Sequence, residues 1–400
     1  MKLTRPHDSH LCYCTNIHPG EDWAEVNRAL TKHLPAVKAQ VCPNQSMGVG
    51  LRLSAVAANQ LIENQNQLRS FKNWLQQQDL YVFTINGFPY GAFHGQAVKE
   101  RVYQPDWSAI ARLSYSKQLA TILSELLPDN QHGSISTVPI GFKPEFKNPS
   151  RLNDAVLHLL QLAAFLAELE HNTGKRIQYA LEPEPACLLE TTQDTIEFFR
   201  QQLYTEQAVA QLSKHLGSEL RNNADISLIK RYLGVCLDTC HAAVMFEEPL
   251  AMSRALVNAG IPIHKVQLTA ALSVARLNPS IREQLAQYSD DVYLHQTSIR
   301  SKPNQQTFYL DLDLALQHAP DDAELRCHFH VPVFAEKLGV LQTTQNELSK
   351  LLDAYKLDPV RSHLEVETYT FNLLPQELRL GSVIDNISRE LNWVKERLQQ

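Results

Sequence analysis

The chain has no glycine-rich phosphate loop, no Gly-x-Ser-x-Gly nucleophile elbow and no Gly-x-Gly-x-x-Gly fingerprint. These absences remove the P-loop, α/β-hydrolase and dinucleotide-binding readings. It also has no basic tail or Lys/Arg cluster, and its formal net charge is -6. Both argue against a nucleic-acid partner held through phosphates. The first eight residues lack the apolar core of a signal peptide. No apolar run is expected to reach bilayer length, so a cytoplasmic protein with no membrane span is expected. The most apolar stretch, Ala155 to Leu169, carries His158, Gln161 and Glu168 and predicts a mostly buried helix. Seven cysteines show no zinc-finger spacing. Cys12 and Cys14 share a strand face and are expected to pack in a reducing compartment rather than form a disulfide. Without repeats, low-complexity tracts or a Gly/Ser linker, residues 1–400 are expected to form one domain.

What the chain does have is a series of short strand-like runs separated by longer helix-like segments. The runs are Leu11 to Asn16, Met47 to Leu53, Leu80 to Gly87, Ser134 to Pro139, Ile177 to Glu182, Tyr232 to Asp238, His264 to Leu268 and Ser362 to Tyr369. Between the second and third, Leu61, Leu68, Phe71 and Leu75 recur at helical spacing. Alternating strands and helices imply an α/β fold with a parallel sheet, and eight units imply a (β/α)8 TIM barrel. Two segments exceed that plan and are expected as rim-loop insertions. One, about 89–107, is rich in Gly, Pro and aromatics and predicts a pocket rimmed by Phe88, Tyr90, Phe93 and Tyr103. The other, about 270–327, contains Asp291 to Thr297 and Thr307 to Leu312, which can pair as a hairpin. A last helix, about Ile384 to Leu398, turns Ile387, Leu391 and Val394 to one face.

Several runs end in polar groups, and the most informative is Leu233-Gly-Val-Cys-Leu-Asp238-Thr-Cys-His241. A strand end delivers a carboxylate and the next turn an imidazole, at the barrel face where active sites form. The same pattern also fits a helix-capping Asp followed by a surface His. Glu182 ends the fifth run, Gln267 lies in the seventh and Glu367 in the eighth. In a barrel these side chains converge, and converging carboxylates repel unless a cation neutralises them. Oxygen-rich ligation with an amide or imidazole suits Mg²⁺, Mn²⁺ or Zn²⁺. Each acid taken singly also fits a structural carboxylate or a cap. His328 and His330 share a face of an extended segment, which fits metal binding, recognition of a hydroxyl-rich or phosphate ligand, or plain packing. Arg52 is placed to bind an anion at the rim or to bridge loops. Asn16, His18, Asn86, Tyr90 and His94 follow strands and can line a ligand pocket, although Asn-Gly is also an ordinary turn.

These residues resemble the xylose-isomerase-like barrels in order: a strand-end Glu-Pro, Asp-x-x-His, a polar strand-seven residue and a strand-eight Glu. The chain is more specifically similar to the EboE-type metabolite-traffic proteins. The stretches that carry this are Tyr13-Cys-Thr-Asn-Ile-His-Pro-Gly, Asn86-Gly-Phe-Pro-Tyr-Gly-Ala-Phe-His, Val98-Lys-Glu-Arg-Val-Tyr-Gln-Pro-Asp-Trp, Leu181-Glu-Pro-Glu-Pro, Leu237-Asp-Thr-Cys-His and Glu365-Val-Glu-Thr-Tyr-Thr. The resemblance implies a divalent metal held by Glu182, Asp238, the strand-seven residue and Glu367, with Glu182 and Glu367 as an acid/base pair. It implies that His241 touches the metal or a substrate hydroxyl. Sugar isomerases and epimerases of this superfamily usually place His at the strand-seven position; here it is Gln267, a weaker neutral ligand. His264 lies three residues back and is expected to face away. His328 and His330 fall where endonuclease IV proteins carry a metal-binding pair. Three roles are thereby implied: routing a small metabolite beside other proteins of an export pathway, isomerising a sugar or sugar phosphate, or DNA repair, which the acidic charge disfavours.

Overall fold

Each strand-like run becomes a strand of one parallel sheet in the computed structural model, which describes residues 1–3, 9–95, 98–302, 305–357, 363–374, 376, 379 and 381–399. In chain order these are β1 (His10–Tyr13), β2 (Met47–Arg52), β3 (Leu80–Asn86), β4 (Gly133–Thr137), β5 (Ile177–Leu181), β6 (Leu233–Asp238) and β7 (Ile263–Leu268). After an insertion comes β14 (His363–Val366). Their spatial order is β1-β14-β7-β6-β5-β4-β3-β2, and β1 meets β2 at a parallel bridge between Cys14 and Gly50. This is the (β/α)8 barrel. Strands β2, β6 and β7 are buried along their whole length, as parallel strands are when helices cover them.

The outer helices start where the sequence supplies caps. Asp22 accepts from the backbone N–H of Glu25, Ser54 from Ala57 and Asn148 from Ser150. Helix Gln65–Gln77 buries Leu68, Phe71 and Leu75, and the last helix, Val383–Gln399, buries Ile387, Leu391 and Val394. Helix Pro149–Thr173 departs from expectation, because by length and composition it is apolar enough to cross a membrane. Here it packs against β5 and neighbouring helices, burying Leu159, Leu162, Ala163 and Leu166.

Residues two apart share a face, so Cys236 and Asp238, Lys265 and Gln267, and Glu365 and Glu367 form adjacent interior columns. Register sets Gln267 opposite Asp238 on one side and Glu365 on the other. Below the carboxylates, Lys265 Nζ lies 2.5 Å from Glu365 Oε2 and donates to Ser136 Oγ at 3.2 Å. Burial works against the Lys265 charge, but Glu365 beside it holds its pKa above the ordinary lysine value. Gly50 makes room for this pair, since a Cβ there would fall 1.7 Å from Glu365 Oε1.

The later insertion is a six-stranded antiparallel sheet, order β10-β9-β11-β8-β13-β12. Its strands are β8 (Ala270–Val274), β9 (Thr297–Lys302), β10 (Gln305–Tyr309), β11 (Glu324–Val331), β12 (Lys337–Leu338) and β13 (Leu341–Thr343). It therefore runs to Thr343, past the expected end near Cys327, because β11 and β13 both pair with β8. The expected hairpin is also displaced: Thr297–Lys302 pairs with Gln305–Tyr309. Asp290 Oδ1 accepts from the backbone N–H groups of Val292 and Tyr293 and holds the preceding stretch as a turn. All seven cysteines are buried and free.

Candidate metal centre

Glu182 follows β5 and continues its alignment, its backbone N–H donating to Thr137 O at 3.0 Å. Asp238 ends β6. Its Oδ1 accepts from Cys240 N–H (2.7 Å), His241 N–H (2.9 Å) and Thr269 Oγ1 (2.7 Å), capping helix Thr239–Val244. The capping reading thus holds for one oxygen, while Oδ2 is buried without a partner. Glu367 lies just past β14, and its Oε1 accepts from the Nδ2–H groups of Asn16 and Asn86, each at 2.7 Å.

Carboxylate oxygens of Glu182, Asp238 and Glu367 lie within 4.8 Å of one another. Burial first, then mutual repulsion, raises the Glu182 and Glu367 pKa values well above the ordinary carboxylate value. Glu182 Oε2, Asp238 Oδ2 and Gln267 Oε1 are buried and unpartnered. A buried polar atom left unmade costs about 1–3 kcal/mol. One divalent cation would satisfy the two carboxylate oxygens and remove the repulsion, with Gln267 in register beside Asp238, so the donor set fits Mg²⁺, Mn²⁺ or Zn²⁺.

Three imidazoles adjoin this set. His241 Nδ1 lies 3.0 Å from Pro183 O, His330 Nδ1 2.7 Å from Glu367 O and His328 Nδ1 2.7 Å from Gln296 Oε1. Carbonyl oxygens only accept, so each Nδ1 carries a proton and each ring turns its Nε2 inward. Burial, then neighbouring imidazoles, pushes the His328 pKa well down; burial likewise takes His330 to about 4. The Nε2 atoms face one another at 3.2 Å (His241–His328) and 3.0 Å (His328–His330). Carbonyl-held Nδ1–H groups are what orient metal-ligating histidines. Asp238 Oδ2 lies 3.9 Å from His241 Nε2, and Asp238 groups with both ligand sets.

The remaining expected residues divide. Asn16 and Asn86 line the cavity over the carboxylates, as do Phe88, Phe93 and Tyr103. Tyr90 does not: it packs against Tyr115 and under the Arg112 guanidinium, which donates to Pro105, Gly87 and Phe88 carbonyls and pins the loop. Arg52 is the bridge rather than the anion site, its guanidinium donating to Gly20 O and Gly91 O. His18 bonds Tyr13 and stacks on His33 at 4.2 Å, away from the cavity. His94 ties Asn16 O to the Tyr293 hydroxyl. His264 is buried on β7, where a Cβ on Gly234 would meet its ring.

Sequence reasoning missed Glu184, Gln296, Tyr293 and Tyr369. Glu184 Oε1 accepts from Tyr103 Oη (2.8 Å) and Gln296 Nε2 (2.9 Å). The doubled Glu-Pro of 182–185 was its signal; Gln296 carried none, because its place depends on the insertion.

No family model matches the chain and no curated protein matches it. Solved structures similar to it include a D-tagatose 3-epimerase-like protein, with 11% identity, 98% of this chain and 97% of that chain covered and a TM-score of 0.48. An L-ribulose 3-epimerase has 11% identity, 98% and 95% coverage and a TM-score of 0.48. The IolI protein with a bound zinc atom has 11% identity, 97% coverage of both chains and a TM-score of 0.44.

Proposed function

We propose that the barrel is a divalent-metal-dependent isomerase or epimerase acting on a small molecule that bears hydroxyl and carbonyl groups. The observation that supports this best is the cluster of Glu182, Asp238 and Glu367 carboxylates, in which Glu182 Oε2 and Asp238 Oδ2 are buried and unpartnered, with Gln267 in register beside Asp238. These four residues would hold the cation, which when bound polarises a substrate carbonyl. Glu182 and Glu367 reach the cavity from different strands and serve as the acid/base pair that moves a proton at the adjacent carbon. Asn16 and Asn86 fix Glu367 Oε1, leaving Oε2 to exchange the proton. His241, His328 and His330 offer a nitrogen-rich set for a second cation or for substrate hydroxyls.

A second reading follows the metabolite-traffic resemblance. There the barrel works in the cytoplasm beside export partners, binding and handing on a precursor. It is favoured by the position of the Val98 to Trp107 motif, which supplies Val98, Val102 and Tyr103 to the cavity wall.

The test is proton exchange in D2O. Manganese-loaded protein incubated with small ketoses should place solvent deuterium at the carbon next to the carbonyl, read by NMR. Glu182→Gln should abolish it. No exchange with any ketose favours the binding role.

A further inference from the structure

We infer that the ligand of this centre is amphipathic, with a hydroxyl- or carbonyl-bearing head at the carboxylates and imidazoles and an unphosphorylated apolar or aromatic tail. This deepens the metal-centre reading and rests on it.

The lining of the cavity is of two kinds. Its floor is the acids and imidazoles described above. Its apolar and aromatic lining is Phe93, Val98, Val102, Tyr293, Leu294 and Tyr369. Phe93, Tyr293 and Tyr369 form a triangle of rings with every pair of centroids 5.1 Å apart. Tyr369 continues onto His330 at 4.7 Å, so the aromatic wall begins where the ligand set ends. Tyr293 directs its hydroxyl to His94 Nδ1 and Tyr103 to Glu184. Their polar ends are thus engaged, and Tyr103 stacks one face on Phe142 at 5.5 Å, so both present ring carbon to the cavity. A polyol lying along this wall would give up water at each hydroxyl and gain no partner.

A phosphate finds no receptor here. Lys99 is the one cation among the described lining residues, and its Nζ is held by Asp311 Oδ2 (2.6 Å) and Asp290 O (3.1 Å). Arg52 and Arg112 do not line the cavity; their guanidinium groups donate to loop carbonyls, and the Arg52 Nε and Arg112 Nη2 left over are buried outside it. The first amides of helix Thr239–Val244, a ready anion site in other barrels, already donate to Asp238 Oδ1.

The test uses cobalt-loaded full-length protein, whose visible absorption reports ligands at the metal without any catalysis. It is titrated separately with benzohydroxamate, acetohydroxamate and D-ribulose 5-phosphate. Burying a phenyl ring on the wall should make benzohydroxamate at least about tenfold tighter than acetohydroxamate, with the phosphate weakest. Phe93→Ala should erase the preference. Equal hydroxamate affinities, a preference that survives Phe93→Ala, or tightest binding by the phosphate would overturn the inference while leaving the metal centre standing. Absence of any cobalt spectrum would overturn the metal reading and this inference with it.

Discussion

Gln296 Oε1 sits 2.7 Å from His328 Nδ1, and this contact decides which nitrogen of the ring faces the centre. The amide orientation is itself fixed, because Gln296 Nε2 points at Pro185 O (3.3 Å) and Glu184 Oε1 (2.9 Å), both acceptors. Gln296→Leu is therefore expected to free the His328 tautomer and weaken metal binding at the imidazoles on the order of 10–100-fold. Competition with a chromogenic chelator measures this. Unchanged affinity would show that the imidazoles hold no metal.

Lys265 and Glu365 predict a different pattern. Removing one partner strands a buried charge, so Lys265→Met should cost about 3–5 kcal/mol in denaturant unfolding. Lys265→Met/Glu365→Leu should recover most of that loss. A double variant as unstable as the single one would mean that the pair does more than neutralise itself.

At Gly50 the prediction is steric. A Cβ there meets Glu365 Oε1 at 1.7 Å and Tyr13 O at 2.7 Å, the second being backbone. Gly50→Ala should destabilise by about 1–3 kcal/mol. Glu365→Ala should relieve only the side-chain part of the clash.

Glu390 governs part of the pH dependence. Burial raises its pKa from 4.5 to about 7, against hydrogen bonds from Thr368 and the Val333 amide. A folded pKa above the unfolded value means that the folded state holds the proton more tightly. Its contribution to stability is then complete below pH 4.5 and is lost as pH rises through about 7. The loss is about 3 kcal/mol at 1.36 kcal/mol per unit. Glu390→Gln should remove this loss, so the stability difference between wild type and variant should change by about that amount over the window; parallel profiles would contradict the assignment.

The barrel was legible because each strand is a short apolar run ending in a polar group, and a parallel strand buried on both faces leaves that mark. Asp238, Gln267 and Glu367 were legible for the same reason. Tyr90 was misplaced because a loop lacks the strand's alternation and Arg112 pins this one with Tyr90 packed against Arg112 and Tyr115. The imidazole set was only half legible. Residues 328 and 330 share a face by spacing, but their meeting with His241 depends on β11, a strand of the insertion held between β8 and β9 by long-range pairing.

The central claim is that the buried oxygens of Glu182, Asp238 and Gln267 belong to a metal. The most direct test is elemental analysis of protein purified without chelators, beside a folded Glu182→Ala/Asp238→Ala variant. Close to one or more equivalents of a divalent transition metal or magnesium are expected in the wild type, with a clear loss in the variant. No metal in the wild type, even after dialysis against Mn²⁺ or Zn²⁺, would contradict it.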